Sequence, residues 1–146
     1  MNEKVESRGR TILVVEDDAV YRDLLALGLG CEGYDVVTAE NGAQALSIVQ
    51  ESKPDAILLD LLMPVMDGLS FLRTVKEEGG AAIPTLVLTC LEERSYAVEA
   101  LVAGAADVLT KPVDLDDLLR RIETLLGDSR ALEPALAPGA EDGNSR

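Results

Sequence analysis

Five short, almost uncharged runs rich in aliphatic and β-branched residues punctuate this 146-residue chain, and a helix-patterned stretch follows each of them. The runs are Thr11 to Val15 (TILVV), Tyr34 to Ala39 (YDVVTA), Ala56 to Asp60 (AILLD), Ile83 to Thr89 (IPTLVLT) and Ala106 to Thr110 (ADVLT). Apolar runs of this length fit strands buried on both faces. Strands that alternate with helices have few ways to pack. The expected one is an α/β fold: a five-stranded parallel sheet, doubly wound, with helices on both faces.

The expected helices are Ala19 to Cys31, Gly42 to Ser52, Pro64 to Glu78, Leu91 to Ala103 and Asp114 to Leu126. In the first, Val20, Leu24, Leu27 and Cys31 recur at the spacing of a core-facing stripe. Ala45, Leu46 and Val49 mark the face of the second, and Leu69, Leu72 and Val75 that of the third. The fourth is poorly amphipathic, which leaves Val98 and Val102 as candidates, with Val108, for an apolar partner face. The last is the clearest, with Leu115, Leu118, Leu119, Ile122, Leu125 and Leu126 in register and Asp114 suited to its N-cap. The alternation occupies residues 11–127 as one domain. Residues 1–10 lack periodicity and read as a disordered N-terminus, and residues 128–146, rich in Gly, Pro, Ala and charge, read as a disordered tail.

Composition narrows the function. Aromatic residues make up 3% of the chain, so the core must be aliphatic. Thirteen basic residues against 27 acidic ones give a net charge of −14, the wrong sign for direct contact with a nucleic-acid backbone. There is no histidine, which excludes Ser-His-Asp and Cys-His catalysis, His-ligated zinc and a phosphohistidine carried by this chain. Cys31 and Cys90 match no metal or redox spacing and read as reduced, semi-buried thiols. No apolar stretch approaches the roughly 18 residues of a membrane span, and no signal-peptide core follows Met1; a cytoplasmic protein without membrane insertion is expected.

In doubly wound sheets, ligands bind beyond the carboxyl ends of the strands. There the chain places Glu16, Asp17 and Asp18 after the first run, Asp60 at the end of the third, Thr89 at the end of the fourth and Lys111 just after the fifth. Crowded carboxylates repel one another unless a cation intervenes. Magnesium suits such a set, because it takes one or two carboxylates together with waters and a phosphate oxygen. Lys111 adds a compact positive charge and Thr89 a hydroxyl. The chemistry that fits is phosphoryl transfer onto a carboxylate, with Asp60 as nucleophile.

The motifs VVEDD (14–18), LLDLLMPVMDG (58–68), VLT (87–89) and LTKP (109–112) together make the chain resemble a response-regulator receiver domain of bacterial two-component signalling, over residues 11 to 126. The resemblance implies a flavodoxin-like strand order 2-1-3-4-5. It implies that Asp60 accepts a phosphoryl group from a phosphohistidine, with Asp17, Asp60, the backbone carbonyl of Leu62 and, through water, Glu16 holding Mg2+. It implies that Thr89 and Lys111 contact the phosphoryl group and that the Lys111–Pro112 bond is cis. The implied partners are a sensor histidine kinase or phosphotransfer protein and a downstream target protein; a homodimer is left open. The domain would catalyse only its own phosphorylation and dephosphorylation.

The chain departs from the family's pattern in places. Val108 stands where many receivers carry Tyr or Phe, so the switch formed by Thr89 and position 108 has no ring to rotate. Leu62 and Leu91, which flank the attacking water in the family, cannot hydrogen-bond it, so a slowly hydrolysed acyl phosphate is expected. Cys90 stands at a usually small position. Met63 and Met66 read as packing residues, Asp67-Gly68 as a turn, Asp18 as a helix cap, and Asp114, Asp116 and Asp117 as a solvated helix start. Three alternatives compete. A phosphorylation-independent interaction module keeps the fold without the chemistry. A haloacid-dehalogenase-type hydrolase needs an acid where Leu62 stands. A flavin binder needs a Ser/Thr-rich loop where Glu16-Asp17-Asp18 stands. No output domain is readable, so action through a bound partner or phosphate relay is expected.

Overall fold

A computed structural model describes residues 9–61, 67–78, 83–90 and 94–127. Among these lie five strands, β1 (Thr11–Val15), β2 (Asp35–Ala39), β3 (Ala56–Asp60), β4 (Thr85–Thr89) and β5 (Asp107–Thr110). Five helices alternate with them: α1 (Ala19–Cys31), α2 (Gly42–Ser52), α3 (Gly68–Glu77), α4 (Arg94–Ala103) and α5 (Leu115–Leu126). The strands form one parallel sheet in the order β2-β1-β3-β4-β5, the doubly wound order expected. Among the described residues no helix is long and apolar enough to cross a membrane.

Side chains alternate across a strand, so this sheet has a core on each face. Leu13, Val15, Leu59 and Val87 pack with Ala45 and Val49 of α2, Phe71 and Leu72 of α3 and Ala100 of α4. On the other face Ile12, Val14, Leu58 and Leu88 pack with Leu25 and Leu29 of α1 and Leu118 and Ile122 of α5. β3 and β4 are buried along their whole length, as central strands covered on both faces must be. Each fully buried leucine contributes roughly 2 kcal/mol of transfer free energy.

Polar side chains start the helices. Asp18, Asn41, Asp67 and Asp114 each accept a backbone N–H from the first turn of the helix that follows, which satisfies donors the helix leaves open. Several boundaries differ from those expected. α3 begins at Gly68 rather than Pro64, because Asp67 takes the capping position; residues 62–66 lie outside those described, as do residues 79–82 with the Gly79-Gly80 stop and residues 91–93. β2 begins at Asp35, β4 at Thr85, which follows Ile83-Pro84, and β5 at Asp107. Residues 1–8 and 128–146 also lie outside the described set.

The larger correction concerns α1. The stripe Val20, Leu24 and Leu27 is exposed, at 71, 58 and 65%, and Cys31 is exposed with it; Leu25 and Leu29 are the buried residues. Two apolar rows run along this helix, and periodicity alone cannot choose between them. Packing chooses: a Cβ on Gly28 would come within 2.8 Å of Leu115 Cδ1, so α1 meets α5 along the Leu25–Leu29 side. Leu115 lies at the rim of that seam and stays partly exposed, unlike Leu118 and Leu119. Cys90 is half-buried, so the expectation of two semi-buried thiols holds for Cys90 and fails for Cys31. Val98 and Val102 of α4 are exposed as expected, but Val108 packs against the core on the α2–α4 side and does not join them.

Candidate functional site

Sheet register brings the acids together. Val15 of β1 pairs with Leu59 of β3, so Glu16 and Asp60, one step further on each strand, emerge side by side. Asp60 pairs with Leu88, and Thr89 with Thr110, so Thr89 and then Lys111 follow at the same edge of the sheet. Glu16, Asp60 and Thr89 are buried, whereas Asp17 is exposed at the mouth. Carboxylate oxygens of Glu16, Asp17 and Asp60 lie within 4.8 Å of one another.

Three like charges this close call for a counter-charge. Lys111 supplies one: its Nζ lies 3.1 Å from Glu16 Oε1 and 3.5 Å from Asp60 Oδ1. Burial by itself would push the Lys111 ammonium down, but the Asp60 and Glu16 carboxylates outweigh it and hold the group above the usual lysine value. One ammonium does not balance three carboxylates. The remaining negative charge, the oxygen-only donor set and the partial opening at Asp17 fit a small hard divalent cation.

Backbone contacts hold the residues in place. Asp18 N–H donates to Glu16 Oε2 at 3.2 Å, and Arg22 Nη1 donates to the Glu16 carbonyl at 2.9 Å. Lys111 N–H donates to the Thr89 carbonyl at 2.8 Å, which ties the ends of β4 and β5. The Lys111–Pro112 peptide is cis. Thr89 Oγ1 donates to the Cys90 carbonyl across 3.5 Å, a long bond. Gly68 N–H donates to the Leu61 carbonyl at 2.7 Å, which clamps the start of α3 against the residue after Asp60.

The residues singled out from sequence therefore divide. Glu16, Asp17, Asp60, Thr89 and Lys111 stand together at the carboxyl edge of the sheet. Asp18 caps α1, and Asp114, Asp116 and Asp117 sit at the start of α5, where Asp116 and Asp117 face the helix dipole. Val108 is half-buried on β5. Leu62, Met63, Met66 and Leu91 lie outside the described residues. Sequence reasoning missed Tyr21, Arg22 and Gly68. Tyr21 and Arg22 sit on a helix whose outer row looked like its inner one, and Gly68 read as a turn residue, which hides its contact with Leu61.

Comparison with known proteins agrees with this geometry. The chain matches the family described as the response regulator receiver domain over residues 12–123. It is 43% identical over 115 residues to the response regulator MprA of Mycobacterium sp. (strain KMS), covering 79% of this chain and 50% of that protein. The chain thus spans about half the length of the curated relatives it matches. Among solved structures it resembles chemotaxis protein CheY4 of Vibrio cholerae, with a TM-score of 0.75 and 31% identity over 80% of this chain and 98% of that one. It also resembles the receiver domain of the Francisella response regulator 1452, with a TM-score of 0.76 and 28% identity over 82% of this chain and 98% of that one.

Proposed function

This chain belongs to the response regulator receiver family, and from that membership we propose that Asp60 accepts a phosphoryl group from a phosphohistidine on a sensor kinase or phosphotransfer protein in the cytoplasm. The observation that carries the reading is the triad of carboxylates beside one lysine at the strand ends. An Asp60 oxygen bonds to phosphorus as the bond from phosphorus to the donor's ring nitrogen breaks, and the departing nitrogen takes up a proton. Hydrolysis reverses the state: water attacks phosphorus, the carboxylate leaves, and inorganic phosphate is released. Lys111 and the Thr89 hydroxyl would hold the phosphoryl oxygens, so the site would work by positioning and charge. Asp17 and Asp60 would hold Mg2+, with Glu16 through water and the carbonyl of Leu62 completing the set. When bound, the ion neutralises the crowded carboxylates and the charge of the transferring group.

Thr89, buried at the end of β4 and tied through its carbonyl to Lys111 N–H, is the part we propose to move on phosphorylation. Its movement would be passed to α4 and so to a downstream target protein. The exposed row Val20, Leu24 and Leu27 starts beside the acids, next to a groove of about 240 Å3 lined by Tyr21, Leu24, Leu25, Val113 and Leu115. An apolar face beside the site supports docking of a protein donor there.

Two measurements test this reading. Intact mass after incubation with magnesium and a small acyl phosphate should rise by one phosphoryl group, and EDTA should abolish the gain. A folded protein that gains nothing would favour the phosphorylation-independent interaction module instead. Leu24→Glu should leave labelling by the small donor within about twofold, yet slow transfer from a phosphohistidine protein about tenfold or more, as loss of an interface anchor does. Equal slowing with both donors would refute docking on α1.

A further inference from the structure

Tyr21 stands on the first turn of α1, four residues beyond Asp17, where its N–H is held by Asp18 Oδ1 at 3.1 Å. Its half-buried ring lies under the Lys111 ammonium, with Nζ 4.9 Å from the ring centroid. Its hydroxyl oxygen accepts the N–H of Val113 at 3.1 Å. One side chain therefore reaches Lys111 by its face and the backbone just beyond Pro112 by its tip. The charge and the strand end that carries it are both tied to the helix that follows the acids.

Lysine is a long, flexible side chain with a strongly hydrated head, and here it is 22% exposed. Nothing in its covalent structure keeps the ammonium over Glu16 and Asp60 rather than in water. An aromatic face attracts a cation within about 6 Å, and the attraction grows as water is removed. We infer that Tyr21 is the positioning residue for Lys111: its ring holds the ammonium toward Asp60, and its hydroxyl fixes the Val113 backbone so that the base of the Lys111 side chain stays in place. This inference rests on the reading of Lys111 as a group that contacts the phosphoryl oxygens. It assigns Tyr21 no contact with phosphorus or metal.

The alternative is that the ring merely packs beside the α1–α5 core. Both roles predict some loss of stability on truncation, so stability does not separate them. Rate against metal affinity does. In Tyr21→Leu, labelling by a small acyl phosphate at saturating magnesium should fall about tenfold, within the range of a partly desolvated cation–ring contact. The dissociation constant for magnesium, measured by NMR titration, should stay within about twofold. Tyr21→Phe keeps the ring and loses the Val113 bond, and should label within about threefold of the original chain.

A spectroscopic reading stands apart from turnover and needs no variant to fold. The Lys111 ε-methylene protons should be shifted upfield by the ring current and show cross-relaxation to the Tyr21 ring. The shift should persist in Tyr21→Phe. Unshifted ε-methylene protons in the original chain would overturn the inference. So would a Tyr21→Leu variant that labels at the original rate, that weakens magnesium binding in proportion to its rate, or that is matched in its loss by Tyr21→Phe. If the original chain takes no phosphoryl group at all while the Lys111 shift is present, the reading of the site fails, the contact stands, and the role assigned to it is overturned.

Discussion

Asparagine in place of Asp60 is expected to end phosphoryl acceptance outright and, at the same time, to make the magnesium-free protein more stable. An amide has no anionic oxygen to attack phosphorus, so the mass gain seen with an acyl phosphate should vanish. The effect on stability follows from the surroundings. Asp60 is buried, and oxygens of Glu16 and Asp17 lie within 4.8 Å of its own. Its ionised form costs desolvation and meets two like charges, and Lys111 Nζ attracts it from 3.5 Å. Lys111 is not stranded by the change, because Glu16 remains 3.1 Å away. Removing a buried charge whose partner keeps another partner should raise the unfolding free energy by about 1–2 kcal/mol. Urea unfolding in EDTA measures this directly. Magnesium should then stabilise the original chain more than the variant and narrow the gap. A variant less stable than the original in EDTA would show that the Lys111–Asp60 attraction outweighs the crowding.

Gly68→Ala should damage both the fold and the site. A Cβ at this position would lie 2.6 Å from Leu61 Cα and 2.7 Å from the Asp60 carbonyl oxygen. These are backbone atoms and cannot swing aside as a flexible side chain would. Either the start of α3 moves off, which breaks the 2.7 Å bond from Gly68 N–H to the Leu61 carbonyl, or the end of β3 moves and carries Asp60 with it. Overpacking of this kind costs about 2 kcal/mol, which lowers the thermal midpoint by roughly 5–10 °C in a domain of this size. Labelling of Asp60 should slow in step. Gly30→Ala is the contrast: it sits in α1 with nothing within 4 Å of a new Cβ, and alanine favours a helix over glycine by about 1 kcal/mol. That variant should be at least as stable as the original chain. Equal midpoints for Gly68→Ala and the original chain would mean that the Asp60–Leu61 backbone yields freely.

Much of this protein was legible in its residues alone. Strand types follow from short continuous apolar runs and helix types from an apolar period of 3.6, and these are local properties. Glu16, Asp17, Asp60, Thr89 and Lys111 could be singled out as candidates because each stands at a strand end, and a parallel sheet gathers such ends at one edge. The capping roles of Asp18, Asp67 and Asp114 depend only on the few residues that follow them. Other features belonged to the assembled molecule. α1 carries two apolar rows, and the close approach of Gly28 to Leu115 buries one and exposes the other. Val108 is turned into the core by the sheet around it, so it does not extend the exposed row of α4. Tyr21 comes under Lys111 across 90 positions of chain, and Gly68 meets Leu61 backbone to backbone. A one-dimensional pattern records which residues are apolar and how they are spaced. Which neighbour each one meets is settled when helices and sheet close on one another, because burial and pair distances are properties of that packing.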